Sequence, residues 1–356
     1  MSESTPIFPR GLLDFSQPPG VKERARLEKR LARLKATEQE VADRTAFLAG
    51  QVTKRAFTVV TIRNEFVRLG HRPRSDASDR RAPERADRPP ATRLISPRGI
   101  SLRLYLTALF LAQGQERNRA GTLPDNLLPV TPPTLTTPSW IDTFASDAKS
   151  AGAGRSYMSA RAKKVRQLKS TLDVLAAEGL VRLPYQGRTS GKHERFELLH
   201  ERGQIEQGEN EQYRLPRSKD TTFSLPAAFF KQGWIHVLED SEIAFLLMIA
   251  SLGAEKHQVA IEAEIRLLNY GISRTTYTAN RMLERLGLIT VDEDDRRTAD
   301  GKISGFQQGM DIMLDRFQLK SDGFDSVAYG KLRDQIEYQL DRLESYRIND
   351  EPGPVR

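Results

Sequence analysis

The chain has 356 residues, enough for two or three domains, and 38% of them are hydrophobic. Lysine and arginine number 55 against 47 acidic residues, and the net charge of +8 favours a polyanionic partner such as nucleic acid. The chain contains no cysteine, which excludes thiolate catalysis, disulfide bonds and cysteine zinc sites and is typical of a reducing cytoplasm.

The amino-terminal part predicts an irregular lead-in followed by one long helix. Residues 1–20 contain four prolines and no apolar run of signal-peptide length, so we expect an irregular segment. Residues 21–70 follow, with an apolar residue at every seventh position through four heptads (Leu27, Leu34, Val41 and Leu48). Because half of the companion positions are polar, two interpretations stay open: a coiled coil that pairs two copies through residues 21–55, and a helix that packs on its own chain.

Residues 71–97 differ abruptly in composition, since arginine, aspartate and proline dominate and apolar side chains larger than alanine are almost absent. Such a stretch cannot bury enough apolar surface to offset the entropy of folding, so it predicts a disordered basic linker. Its arginines would suit non-specific contacts with phosphates, although a solvated spacer is the commoner role of a mixed-charge run.

Residues 98–202 predict a first helical domain with a long insertion between its helices. Residues 122–138 are rich in proline and cannot form a continuous helix. The stretch 155–183 contains a helix with a buried leucine stripe, and its opposite face carries Ser159, Lys163, Arg166 and Ser170, flanked by Lys169. A glycine then stops this helix, and the turn that follows is basic, with Arg188 and Lys192.

Residues 203–221 are polar and predict a loop, and residues 222–320 predict a second helical domain. Its last helix is capped by Ser273 and stopped by Gly287. The inner face of this helix is apolar and consists of Ala279, Met282, Leu283 and Leu286. The outer face carries side chains of the types that bond base edges and phosphates: Ser273, Arg274, Tyr277, Asn280 and Arg281, together with Glu284.

The stretch S-R-T-T-Y-T-A-N-R-M-L-E-R-L-G-L-I, followed by two strands predicted around a long loop, resembles the winged helix-turn-helix family of bacterial DNA-binding proteins. In that family, a helix with the pattern S-R-x-T-x-x-x-x-R-x-L-E-x-L-G-L-I is the recognition helix. The ending L-A-A-E-G-L-V-R-L of the earlier helix parallels L-E-R-L-G-L-I-T-V, so a second resemblance covers roughly residues 100–200.

The resemblance implies a mainly α-helical fold with small β-hairpin wings. Two tandem winged-helix domains would accompany the long amino-terminal helix and a carboxy-terminal helix at 325–348. In the second wing the acidic run Asp292 to Asp295 would be repelled by phosphate. We therefore expect Arg296, Arg297 and Lys302 to face the duplex and the acidic run to face away from it.

The sequence predicts a protein that binds double-stranded DNA and is not an enzyme. Its five histidines show no metal-binding spacing, and the acidic run is more typical of a solvated hairpin than of a metal site, so we expect no metal and no cofactor. The longest apolar run is far shorter than the roughly 20 residues that a bilayer requires, so we expect a cytoplasmic, nucleoid-associated protein without membrane contact.

Three roles stay open for such a protein. A transcriptional regulator is the leading one. A plasmid or phage replication initiator that binds origin repeats is a second, because tandem winged helices after a helical segment bear a looser resemblance to that family. A protein-interaction scaffold without DNA binding is the third, although its helices would more often present apolar outer faces.

Overall fold

The structure is a computed structural model that describes residues 21–71, 83–96, 99–116, 128–134, 136–146, 158–187, 191–204, 208, 210–293 and 313–350. Its helices are α1 (Val21–Ala36), α2 (Glu38–Gly50), α3 (Pro90–Arg93), α4 (Ser101–Gly114), α5 (Ala160–Ala177), α6 (Ala228–Lys231), α7 (Trp234–Val237), α8 (Asp240–Ser251), α9 (Ala263–Leu268), α10 (Arg274–Tyr277), α11 (Asn280–Arg285) and α12 (Ala328–Asp350). Its strands are β1 (Val59–Arg63), β2 (Val181–Arg182), β3 (Glu197–Leu198), β4 (Thr222–Pro226), β5 (Val259–Ala260), β6 (Ile289–Asp292) and β7 (Arg316–Leu319). The fold is mainly α-helical with small antiparallel sheets, as the sequence predicts.

The amino-terminal region is not the single helix predicted for residues 21–70. The helix breaks at Thr37, whose hydroxyl donates to the Arg33 carbonyl at 3.0 Å and competes with the backbone ladder. After α2 the chain turns into β1. The heptad residues are at most 6% exposed, because α1 packs on α12 and α2 packs on α6. Among the described residues, packing of this region on its own chain therefore explains the heptad pattern.

Strands β1 and β4 form an antiparallel pair that joins two halves of the chain. We define the first half as residues 59–204 and the second half as residues 222–319. The stretches around them share one pattern, T-I-x-x-x-F-V-R-x-G at 61–70 and S-L-x-x-x-F-F-K-x-G at 224–233. Thr61 lies opposite Ser224, and these two residues also hold the same position in the pattern. Phe66 and Phe229, a further matched pair, are both fully buried. Because an antiparallel pair of equivalent strands has a local two-fold axis, we infer that the chain contains one unit twice.

Residues 83–96 are folded, in contrast to the disordered linker predicted for residues 71–97. They form a 3₁₀ turn and then α3, which starts at Pro90, the first helical position, where proline is favoured. Two glycines allow the backbone to approach α3 closely. A Cβ on Gly203 would lie 3.1 Å from Pro90, and a Cβ on Gly271 would lie 2.6 Å from the Thr92 hydroxyl. This close fit replaces the apolar bulk that the stretch lacks. Residues 72–82 lie outside the described residues.

In the first half, α5 packs on the buried helix α4 and leads through a glycine into the β2–β3 hairpin. A 3₁₀ turn at Trp140–Thr143 packs on α5 and on α2. Gly179 has a φ of +68°, and the Leu180 amide donates to the Leu175 carbonyl at 2.9 Å. This is the glycine stop that the sequence predicts.

The second half runs α8, β5, α9, α10, α11, β6 and β7, and its sheet has the strand order β5–β7–β6. Gly287 stops α11 as predicted, with a φ of +67° and a bond of 2.9 Å from the Leu288 amide to the Leu283 carbonyl. The helix predicted from Ser273 to Gly287 is divided. At the division the Thr278 hydroxyl donates to the Thr275 carbonyl at 2.7 Å, and backbone bonds span three residues instead of four.

One continuous apolar core passes through both halves and includes side chains from α1, α2 and α12. The carboxy-terminal helix predicted at 325–348 is α12, and its Leu332 and Ile336 are fully buried. In the part of the chain that the structure describes, no helix combines the length and the apolar character that a membrane crossing needs.

Candidate nucleic-acid interface

Helix α5 presents a cationic face to solvent. Ser159 caps the helix, since its Oγ accepts a hydrogen bond from the Ala162 amide at 3.1 Å. Arg166 and Ser170 are exposed, and Lys163 and Lys169 are half-buried. Three of these residues, Arg166, Lys169 and Ser170, are spaced by three and four positions and therefore lie side by side on the helix. Arg166 and Lys169 form no ion pair with any other described residue.

The hairpin that follows α5 is tied to the helix by an ion pair. Lys192 Nζ lies 2.8 Å from Asp173 Oδ1, and His193 Nε2 lies 3.0 Å from the same oxygen. Burial by itself would raise the pKa of Asp173, but the hydrogen bonds from Lys192 and His193 outweigh it and lower that pKa. Lys192 therefore serves to hold the hairpin on α5, and Arg188 lies outside the described residues.

Helix α10 begins as the sequence predicts but turns one of its expected contact residues inward. Ser273 Oγ accepts from the Thr276 amide at 3.3 Å, and Arg274 and Thr275 are exposed. Tyr277 is half-buried, its ring packs edge-on against Phe245 and Phe317, and its hydroxyl donates to Asp315 at 2.9 Å. Arg274 is thus the open cation of this short helix, with an exposed hydroxyl beside it that the sequence analysis did not single out.

Helix α11 differs from the predicted outer face. Asn280 is only 1% exposed, and Arg281 forms an ion pair with Glu293, in which both side chains are 15% exposed. The predicted inner face of Ala279, Met282, Leu283 and Leu286 is buried as expected, and after the turn at Thr278 and Ala279 the side chain of Asn280 is buried with it. Glu293 faces α11. Asp294 and Asp295 lie outside the described residues, so the orientation of the acidic run relative to DNA stays a prediction. The predicted contacts Arg296, Arg297 and Lys302 lie outside the described residues.

The buried carboxylate of Glu284 on α11 adds to this polar cluster. Burial raises its pKa, and the nearby Arg281 opposes that shift. Arg281 is therefore held between Glu293 and Glu284 and is largely neutralised. Among the described residues, no group of three or more histidines and carboxylates is placed to hold a metal ion.

The two halves therefore bring together different sets of cations. On α5, a guanidinium, an ammonium group and a hydroxyl form one open face, whereas α10 offers one guanidinium with a neighbouring hydroxyl. Guanidinium and ammonium groups can hold phosphates, and guanidinium can also bond guanine edges. No family model matches the chain, and it matches no curated protein and no solved structure.

Proposed function

We propose that the chain binds double-stranded DNA through two winged-helix modules, one in each half. The second half runs helix, strand, helix, divided helix, strand, strand, with α10 and α11 as the divided helix and β5 next to β7. This is the winged-helix order and supports the assignment. In the first half, the last helix, the glycine stop and the hairpin correspond to the same parts of the second half. The proposed recognition helices are α5 and the α10–α11 pair.

The observation that carries the proposal is the open cationic face of α5. An α-helix fits the major groove of B-DNA, which is about 12 Å wide. Arg166, Lys169 and Ser170 share one side of an 18-residue helix whose other side is anchored by the buried Leu168, Leu172 and others. The side chains can therefore enter the groove without disturbing the core.

The second module contributes a weaker contact in this proposal. Arg274 is placed at the start of α10, where it would reach a phosphate or a base edge. Arg281 is engaged by Glu293, and Asn280 is buried, so neither takes part while that arrangement persists. The proposed physiological role is transcriptional control, and genome-wide mapping of bound sites would distinguish promoters from the repeated sites of a replication origin.

Affinity for duplex DNA measured across a range of salt concentrations tests the proposal. Each phosphate contact contributes about −0.9 to the slope of log affinity against log salt. We expect the double substitution Arg166→Gln and Lys169→Gln to reduce the steepness by about 1.8 and Arg274→Gln to reduce it by about 0.9. The control is Arg333→Gln on α12, where the arginine already pairs with Asp334 at 2.7 Å, and we expect no change.

A wild-type protein that binds no duplex even in dilute buffer would contradict the proposal. So would a double variant of α5 with the same slope as the wild type. A specific observation favours one rival for the second half: the neutralised Arg281 and the buried Asn280 also suit a protein-binding surface. If Arg274→Gln leaves the salt slope unchanged while the α5 variant lowers it, the second half serves that rival function.

A further inference from the structure

Helix α1 carries a row of cations along one side, which we name the α1 stripe and define as Arg26, Lys29 and Arg33. These residues are separated by three and four positions, so their side chains lie along the same side of the helix. All three are exposed. Glu28 lies on the opposite side, where it pairs with Arg24 at 2.8 Å. The stripe is therefore a basic edge within α1, although its Arg26 pairs with Glu239 just before α8.

The Arg26 end of the stripe borders the second half's proposed recognition helix. Arg26 and Arg30 line one small pocket together with Thr275, Thr278 and Met282 of the α10–α11 pair. The opposite side of α1 packs along α12, where Lys35 and Glu337 are 2.6 Å apart. An element that docks on α10 from solvent would therefore also meet the stripe.

A buried ion pair fixes the orientation of α1 and therefore the direction in which the stripe faces. Arg30 donates from both terminal nitrogens to the two Glu242 oxygens at 2.7 and 2.8 Å, and the two side chains are 6% and 3% exposed. Beside it, Arg26 donates to Glu239 at 2.6 Å. A bidentate contact of this kind resists rotation of the helix about its axis, since rotation would break both hydrogen bonds.

We propose that the α1 stripe is a third DNA-contacting surface, which holds backbone phosphates beside the groove that α10 approaches. The inference depends on the proposed DNA binding. The side chains of Lys29 and Arg33 form no ion pair or hydrogen bond with other described residues, so their charges are available to phosphate oxygens. Phosphate contacts position a protein on DNA without reading the base sequence. In the second half, Glu293 neutralises Arg281, and the stripe would provide positive charge in its place.

The test uses the full chain and compares two double variants of α1. Lys29→Gln with Arg33→Gln removes two charges from the stripe, and Arg24→Gln with Lys35→Gln removes two charges from the other side of the same helix. We expect the stripe variant to lose about 1.8 of the salt slope and about tenfold or more in affinity near 0.1 M salt. The control variant should stay within about twofold of the wild type, since rim charges that touch no phosphate act only at long range.

Each result decides the matter. Equal losses in the two variants would mean that net charge alone matters, and no loss in the stripe variant would mean that α1 does not touch DNA; either result overturns the inference. If at the same time the α5 variant still weakens binding, the proposed function stands without the stripe. A wild-type chain that binds no duplex overturns both proposals. Thermal unfolding checks that each variant is folded. We expect both to fold, because Lys29, Arg33 and Lys35 are exposed and Arg24 is half-buried.

Discussion

The two halves attach their last helix to the following hairpin by the same device with the charges exchanged. In the first half, Asp173 on α5 pairs with Lys192 of the hairpin. In the second half, Arg281 on α11 pairs with Glu293, which follows β6. Asp173 and Arg281 hold equivalent positions, because each lies six residues before the glycine that stops its helix.

The exchange teaches that the pair serves attachment, since attraction between helix and hairpin is the same for either arrangement of signs. The consequences for a polyanion differ. In the first half, Arg166 and Lys169 form no ion pair with other described residues. In the second half, Arg281 is ion-paired with Glu293. The two halves therefore present surfaces of unequal charge.

The largest expected effect comes from a buried contact that holds β1 within the first half. Arg63 on β1 donates to Glu201 at 2.6 Å and to Asp220 at 2.9 Å, and Glu201 is fully buried. Burial raises the pKa of Glu201, and the guanidinium opposes that shift. Arg63→Met leaves this carboxylate buried without its partner, so we expect a loss of about 3 to 5 kcal/mol in the free energy of unfolding, measured by urea denaturation.

The matched control is Arg182→Met, which breaks the pair between Arg182 and Glu197 at 3.0 Å on the first half's own hairpin. Both side chains there are 39% exposed, so we expect a loss below about 1 kcal/mol. Similar losses in the two variants would mean that burial gives the Arg63 contact no extra weight.

A smaller effect separates the two glycine stops. Gly179 and Gly287 have nearly the same φ, +68° and +67°, so alanine carries a similar left-handed penalty of about 1 to 2 kcal/mol at each. A Cβ at Gly179 would lie 2.8 Å from the Gln204 backbone nitrogen, whereas at Gly287 the nearest atom is Lys331 Nζ at 3.5 Å. We expect Gly179→Ala to cost roughly 2 to 4 kcal/mol and Gly287→Ala only the left-handed penalty.

Thermal or urea unfolding of the two alanine variants provides the comparison. Both should unfold in one transition with an unchanged dependence on denaturant. Equal losses would show that the first half relaxes around the added methyl group, and the close approach to Gln204 would then carry no strain.

The smallest expected effect comes from the exchanged charges themselves. Glu293→Gln releases Arg281, and we expect duplex affinity to rise by about three- to tenfold near 0.1 M salt, with a steeper salt slope. Glu211→Gln is the control, because this exposed carboxylate pairs with Arg202 far along the chain from α11 and should leave the slope unchanged. A fall in affinity for the Glu293 variant would instead indicate that the ion pair positions α11 for binding.

What the sequence predicted correctly is local. The cap at Ser273 and the stops at Gly179 and Gly287 depend on a few neighbouring residues, and the structure has each of them. The heptad leucines of the amino-terminal region also predicted burial correctly. Spacing alone could not tell which surface buries them, because a second copy and α12 present similar apolar partners.

What the sequence missed depends on partners that are distant along the chain. Strand β1 was read as part of a helix, since its pairing with β4 lies more than 150 residues away. Asn280 and Arg281 were placed on an open face because nothing near them in sequence reveals the turn at Thr278 or the approach of Glu293. The outer face predicted for α5 is exposed at Arg166 and Ser170, since α5 is continuous and its periodicity holds throughout. Its contact with DNA stays a prediction.

The β1–β4 ribbon has a bearing on how the protein can be cut into pieces. Each half supplies one strand, and Ile62 and Leu225 are hidden only because the other strand and its neighbours cover them. A fragment that ended between the halves would expose an unpaired strand edge with apolar side chains, and such edges often initiate aggregation. Truncation experiments should therefore retain both strands, and a nick between the halves should leave the pieces associated.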